Sequence, residues 1–179
     1  MKQDLDLKEL ETDRHHFLTS AAGLNFAHAA SVCLESCGHP LVIQMIDEGH
    51  FKTIFNISRY AVSDQMKRTH NDVTVATEEG AYGVAFIAAS KEMDVKAIEK
   101  SRKKTGIDYW LGTEDNFLFQ NKVRLEVSGI RNGTDQELLS RYNTKMTQSE
   151  RSDYTKLPAL VVIVEFGKPR IKTGLRNIV

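Results

Sequence analysis

The stretch GIDYWLGTEDNFLFQNKVRLEVSGI, residues 106–130, decides how the chain folds. It holds two runs rich in β-branched and aromatic residues, Gly106–Leu111 and Phe117–Ile130. Between them lies Gly112-Thr113-Glu114-Asp115-Asn116, a set of residues that favours a turn. In the second run, strand alternation puts Gln120, Lys122, Arg124, Glu126 and Ser128 on one side. Val123, Leu125 and Val127 take the other side, which belongs to a core. The polar side is either solvated or lines a site. In the first run Gly106, Asp108 and Trp110 share a face opposite Ile107, Tyr109 and Leu111. If the runs pair as a hairpin, Asp108 and Glu126 meet across it on one face.

Outward from this hairpin, residues 70–90 carry a helical pattern through Ala76, Gly80, Gly83 and Ile87, with Asn71 or Asp72 as cap. Gly80 and Gly83 inside a helix predict close approach of a neighbour, such as a sheet. Val95–Lys100 reads as a strand, 135–151 as a second helix and Leu157–Phe166 as a buried strand. The order helix, strand, strand, strand, helix, strand predicts an α/β fold with a mixed central sheet flanked by helices. Before it, residues 13–37 read as a helix that ends at Gly38-His39-Pro40. Leu41–Ile46 and Phe51–Ile57 read as a hairpin around Asp47-Glu48-Gly49-His50. The first dozen residues are charged and expected to be ragged, while 58–69 and the basic tail after Phe166 show no clear period. One compact domain is expected overall, with 1–69 as an N-terminal helix-and-hairpin extension and 70–179 as the core.

The chain has 179 residues, with 24 Lys+Arg balanced by 24 Asp+Glu, so no global positive field draws in a polyanion. A cluster at Lys100, Arg102, Lys103 and Lys104 just ahead of Asp108 supplies a local one. Cys33 and Cys37, the only two cysteines, read as reduced thiols four apart on a helix. The polar, acidic N-terminus is no secretory signal, and no run reaches the ~20 apolar residues of a membrane span. A cytoplasmic protein is expected. No GxxxxGK[ST], GxGxxG, GxSxG or HExxH occurs. All six histidines fall within the first 70 residues, away from the paired acids.

Two carboxylates converging at a strand end, with oxygen donors only, suit Mg²⁺ or Mn²⁺. A third acid is available from Glu78 or Glu79 on the preceding helix. The element order, together with Asp108 in GID, Glu126 in LEVS and the helix acids, resembles the PD-(D/E)XK, or restriction-endonuclease-like, superfamily over about residues 70–167. The segments ATEEGAYGVA (76–85), KSRKKTGIDYWLG (100–112) and RLEVSGI (124–130) also resemble a family of uncharacterised bacterial proteins. The superfamily resemblance implies a Mg-dependent nuclease acting on DNA. In it, Asp108 and Glu126 are metal ligands and Glu78 or Glu79 is an accessory acid. The motif's Lys, two residues beyond the Glu, is Ser128 here. Lys104, Lys122 and Lys145 are the candidates to supply that cation, with Arg124 on the same strand face. The competing expectation is a non-catalytic interaction subunit of a bacterial assembly, working with a protein partner or as a homo-oligomer. The small residues Ala21, Ala22, Ala29 and Ala30 suit either a dimer contact or packing within the chain.

Overall fold

The computed structural model describes residues 1–115 and 118–178. Eight strands form one continuous sheet. They are β1 (Lys2–Asp6), β2 (Val42–Asp47), β3 (Ile54–Ser58), β4 (Lys96–Lys100), β5 (Tyr109–Asp115), β6 (Leu118–Ile130), β7 (Ala159–Glu165) and β8 (Arg170–Arg176). Their order is β1-β3-β2-β8-β7-β6-β5-β4. The sheet is mixed: β1/β3, β2/β8 and β6/β7 run parallel, and the remaining neighbours antiparallel. The helices are α1 (Ser20–Ser36), α2 (Asp64–Thr69), α3 (Val73–Met93) and α4 (Asp135–Ser149). The fold is therefore α/β with a mixed central sheet, and α3-β4-β5-β6-α4-β7 follows the expected order.

Alternation on β6 and β7 divides the sheet's two sides. Val123, Leu125 and Val127 join Leu160, Val162 and Val164 in the main core, beneath α1 and α3. Ile130, Val161 and Ile163 face the other way and pack with Leu138, Tyr142 and Met146 of α4. Every residue of β7 is buried, as expected for a strand covered on both faces. Thr19 caps α1, Asp72 caps α3, and Thr134 with Glu137 forms a reciprocal capping box at the start of α4.

Several expectations are corrected. The first dozen residues are not ragged: Lys2–Asp6 pairs in parallel with β3, and a 3-10 turn over Leu7–Glu11 follows. Leu5, Leu7 and Leu10 are 2%, 0% and 0% exposed, so their burial outweighs the charges between them. The first helix starts at Ser20 rather than near Asp13, because Thr19 supplies the cap. Part of the unplaced 58–69 stretch is α2, and the helical pattern expected from His70 starts at Val73. Residues 112–115, read as a turn, continue β5, while Asn116 and Phe117 lie outside the described residues. The basic tail forms β8, which sits between β2 and β7.

Gly80 and Gly83 meet a helix rather than the sheet. A Cβ on Gly80 would lie 2.9 Å from the Cα of Ala30, and one on Gly83 would lie 3.1 Å from the carbonyl oxygen of Phe26. Ala29 and Ala30, both fully buried, are thus used for packing α1 on α3. Among the described residues no helix is long and apolar enough to cross a membrane.

Candidate metal centre

A cavity of about 480 Å³ opens between the first half of α3 and one side of α4, with the end of β6 as its floor. Its wall on α3 includes Thr77, Glu78 and Tyr82, and its wall on α4 carries Glu137, Arg141 and Lys145 at four-residue spacing. Asp108 and Ser128 lie between these walls.

Asp108 precedes β5 and is pinned to β6 twice. Its N–H donates to the Leu125 carbonyl at 2.8 Å, and its Oδ2 accepts the Val127 N–H at 2.8 Å. The pairing that sequence alternation predicted thus brings Asp108 against Glu126. Burial raises the Asp108 pKa above the usual carboxylate value, against the pull of the Val127 N–H.

Glu126 is fully buried. Its Oε1 accepts from Lys145 Nζ and, at 2.9 Å, from Gln148 Nε2. Its Oε2 has no hydrogen-bond partner. Burial first, then the charge of Asp108, pushes the Glu126 pKa up to about 7, although Lys145 opposes the shift. Two neighbouring carboxylates offset by the one ammonium on Glu126 leave a negative excess, and Glu126 keeps an undonated oxygen.

The other predicted residues separate. Glu78 faces the cavity, where its Oε1 accepts the Tyr82 hydroxyl at 2.8 Å. Glu79, one residue on, turns toward buried His70, with a carboxyl oxygen 3.6 Å from Nδ1. Of the candidate cations, only Lys145 reaches the acids. Lys104 and Lys122 are exposed, and among the described residues no ion pair joins either to Asp108 or Glu126. Arg124, on the same strand face, is fully buried and pairs with Asp153. Ser128, at the motif's Lys position, accepts from Arg141 Nη1 at 3.1 Å.

Sequence reasoning missed Tyr82, Gln148, Arg131 and Arg141. Tyr82 packs edge-on against Phe26 and Tyr109, and its hydroxyl lies between Glu78 and Asp108, lowering the latter's pKa. A signal existed: Glu78/Tyr82 and Arg141/Lys145 are four apart, and Gln148 follows three later.

Asp108 and Glu126 offer oxygen donors, the type that Mg²⁺ or Mn²⁺ takes, and Glu126 Oε2 is the one without a hydrogen-bond donor. Among the described residues no group of three or more His, Cys, Asp or Glu is arranged to hold a metal. Asp108 and Glu126 would therefore be the protein's carboxylate pair, with water completing the shell, as Mg²⁺ prefers. Comparisons with protein families, with curated proteins and with solved structures find no match for this chain.

Proposed function

We propose that the chain is a Mg²⁺- or Mn²⁺-dependent nuclease of the PD-(D/E)XK type, acting on DNA phosphodiesters. The observation that carries this reading is Glu126, fully buried with one oxygen undonated, set near the half-buried carboxylate of Asp108 and bonded to an ammonium. Such a cluster raises the free energy of the empty site, and a divalent cation relieves it.

Asp108 and Glu126 would hold the ion. Bound there, it supplies Lewis-acid polarisation of a phosphate oxygen and an acidified water. The chain's own residues do the rest. Val127 N–H fixes the Asp108 carboxylate, and Gln148 fixes Glu126. Lys145, delivered from α4 rather than from the strand, takes the place of the motif's Lys. Its ammonium orients the attacking water and offsets charge developing on the phosphate. Tyr82 steadies Glu78, the accessory acid on the cavity wall. Chain neutrality makes unassisted DNA binding weak, so turnover is expected at low ionic strength first.

The test is cleavage of plasmid and single-stranded DNA in Mg²⁺ or Mn²⁺. Wild type is expected to cut, and Asp108→Ala, Glu126→Ala and Lys145→Met to lose at least about a hundredfold in rate. Absence of metal-dependent cutting by folded wild type, or full activity of Asp108→Ala, overturns the reading.

A further inference from the structure

The cavity continues past Asp108 toward the start of α4, where Arg131 and Arg141 join its lining beside Glu137. Arg141 Nη1 donates to Ser128 Oγ at 3.1 Å. Arg131 Nε donates to Thr77 Oγ1 at 3.0 Å, and its Nη1 donates to Ser36 Oγ. Both line the cavity, and both are steadied by neutral hydroxyls. Among the described residues no ion pair joins either to a carboxylate, whereas Arg124, Arg170 and Arg176 each face one. The acid beside Arg141 is Glu137, whose Oε2 is already committed to the Thr134 N–H at 2.7 Å. Each guanidinium is oriented by a hydroxyl and keeps N–H donors to spare, the chemistry that suits a tetrahedral oxyanion.

Their placement sets the register. Ser128 lies two residues beyond Glu126 on β6, about 6–7 Å along the strand. Arg141 lies four residues before Lys145 on α4, about 6 Å along the helix. Both walls give the same step, comparable to that between successive phosphates on an extended nucleic-acid strand. We propose that Arg131 and Arg141 form a subsite for the phosphate next to the one at the acid pair, so that a single strand lies along the cavity. This rests on the nuclease reading. It also gives Ser128 a purpose: where the superfamily's motif has Lys, a hydroxyl positions Arg141.

The test is fluorescence anisotropy of full-length protein with a short single-stranded oligothymidylate in EDTA, where nothing is cut. Arg141→Gln and Arg131→Gln are each expected to weaken binding roughly tenfold. Each should also lower the slope of log K against log salt by about 0.7, one phosphate contact on a single strand. Ser128→Ala keeps both charges, and is expected to weaken binding while leaving the slope unchanged. It keeps the proposal testable if an arginine variant does not fold. Oligonucleotides with and without a 5′-phosphate separate a terminal from an internal phosphate as the group held. Wild-type affinity and slope in the folded arginine variants, or no binding by wild type at low salt, overturns the subsite. The two proposals fail separately. Arginine-dependent binding without metal-dependent cutting removes the nuclease and keeps the phosphate site. Cutting with arginine-independent binding does the reverse.

Discussion

Arg124 and Glu126 stand two residues apart on the same face of β6, both 0% exposed, and they are treated oppositely. Around Arg124 every donor group is used. Nε donates to the Leu157 carbonyl, Nη1 to the Ser149 carbonyl and Ser152 hydroxyl, and Nη1 and Nη2 both reach Asp153 Oδ1 at 3.1 Å. Arg176 closes the network on Asp153 from β8. Glu126 instead keeps one oxygen bare and a second carboxylate beside it. The closed network fastens the 3-10 turn Glu150–Thr155 after α4 to the sheet, whereas the open one leaves unfavourable charge uncompensated. Position on a strand does not separate these two charges. Completeness of the surrounding donors does.

The largest expected effect breaks the closed partner. Arg124→Met leaves the Leu157 carbonyl without its donor and takes one donor from the Ser149 carbonyl and one of two guanidinium partners from Asp153, and is expected to cost about 3–4 kcal/mol in urea unfolding. A loss below about 1 kcal/mol would mean the network is not structural. Next comes Glu126→Gln, whose amide can still accept from Lys145 and can donate toward Asp108. The unfolded Glu126 pKa is near 4.5 and the folded value about 7, so the folded state holds a proton that the unfolded chain gives up between them. Wild-type stability therefore falls as pH rises through that window, and the cost is complete above pH ~7. At pH ~8 Glu126→Gln is expected to be more stable than wild type by up to about 3 kcal/mol, with the gap gone below pH ~4.5. Thermal unfolding at the two pH values checks this, and a variant less stable at both contradicts it.

Lys145→Met sharpens the same contrast from the other side. It removes the ammonium that offsets Glu126 and is expected to cost about 1–3 kcal/mol at pH ~8 and less at pH ~5, again by thermal unfolding. Smallest is Glu79→Gln. Because Glu79 turns to His70, cleavage rate and stability are expected to stay within about 0.5 kcal/mol of wild type. A loss comparable to that of Asp108→Ala would place Glu79 rather than Glu78 at the site.

Local pattern made the run from α3 to β7 legible and left the strands at the two ends of the chain illegible. Capping residues, glycines and alternation marked α3, β4, β6, α4 and β7, each recognisable from its own sequence. β1 was not, because Leu5, Leu7 and Leu10 are separated by charges and gain their burial from distant partners. β8 was not, because RIKTGLR has no period and becomes a strand only between β2 and β7. The site divides in the same way. Asp108 and Glu126 follow from two paired strands, but choosing Lys145 over Lys104 and Lys122 requires knowing that α4 lies across β6. The pairing of Glu126 with Gln148, and of Ser128 with Arg141, depends on that same helix placement.

The central claim is that the bare oxygen of Glu126 and its neighbour Asp108 await a divalent cation. Electron paramagnetic resonance of Mn²⁺ titrated into wild type, Asp108→Asn and Glu126→Gln at pH ~8 tests it most directly. The account predicts saturable uptake by wild type that disappears in both variants while they stay folded. Wild type that takes up no Mn²⁺, or variants that bind it equally well, would contradict it.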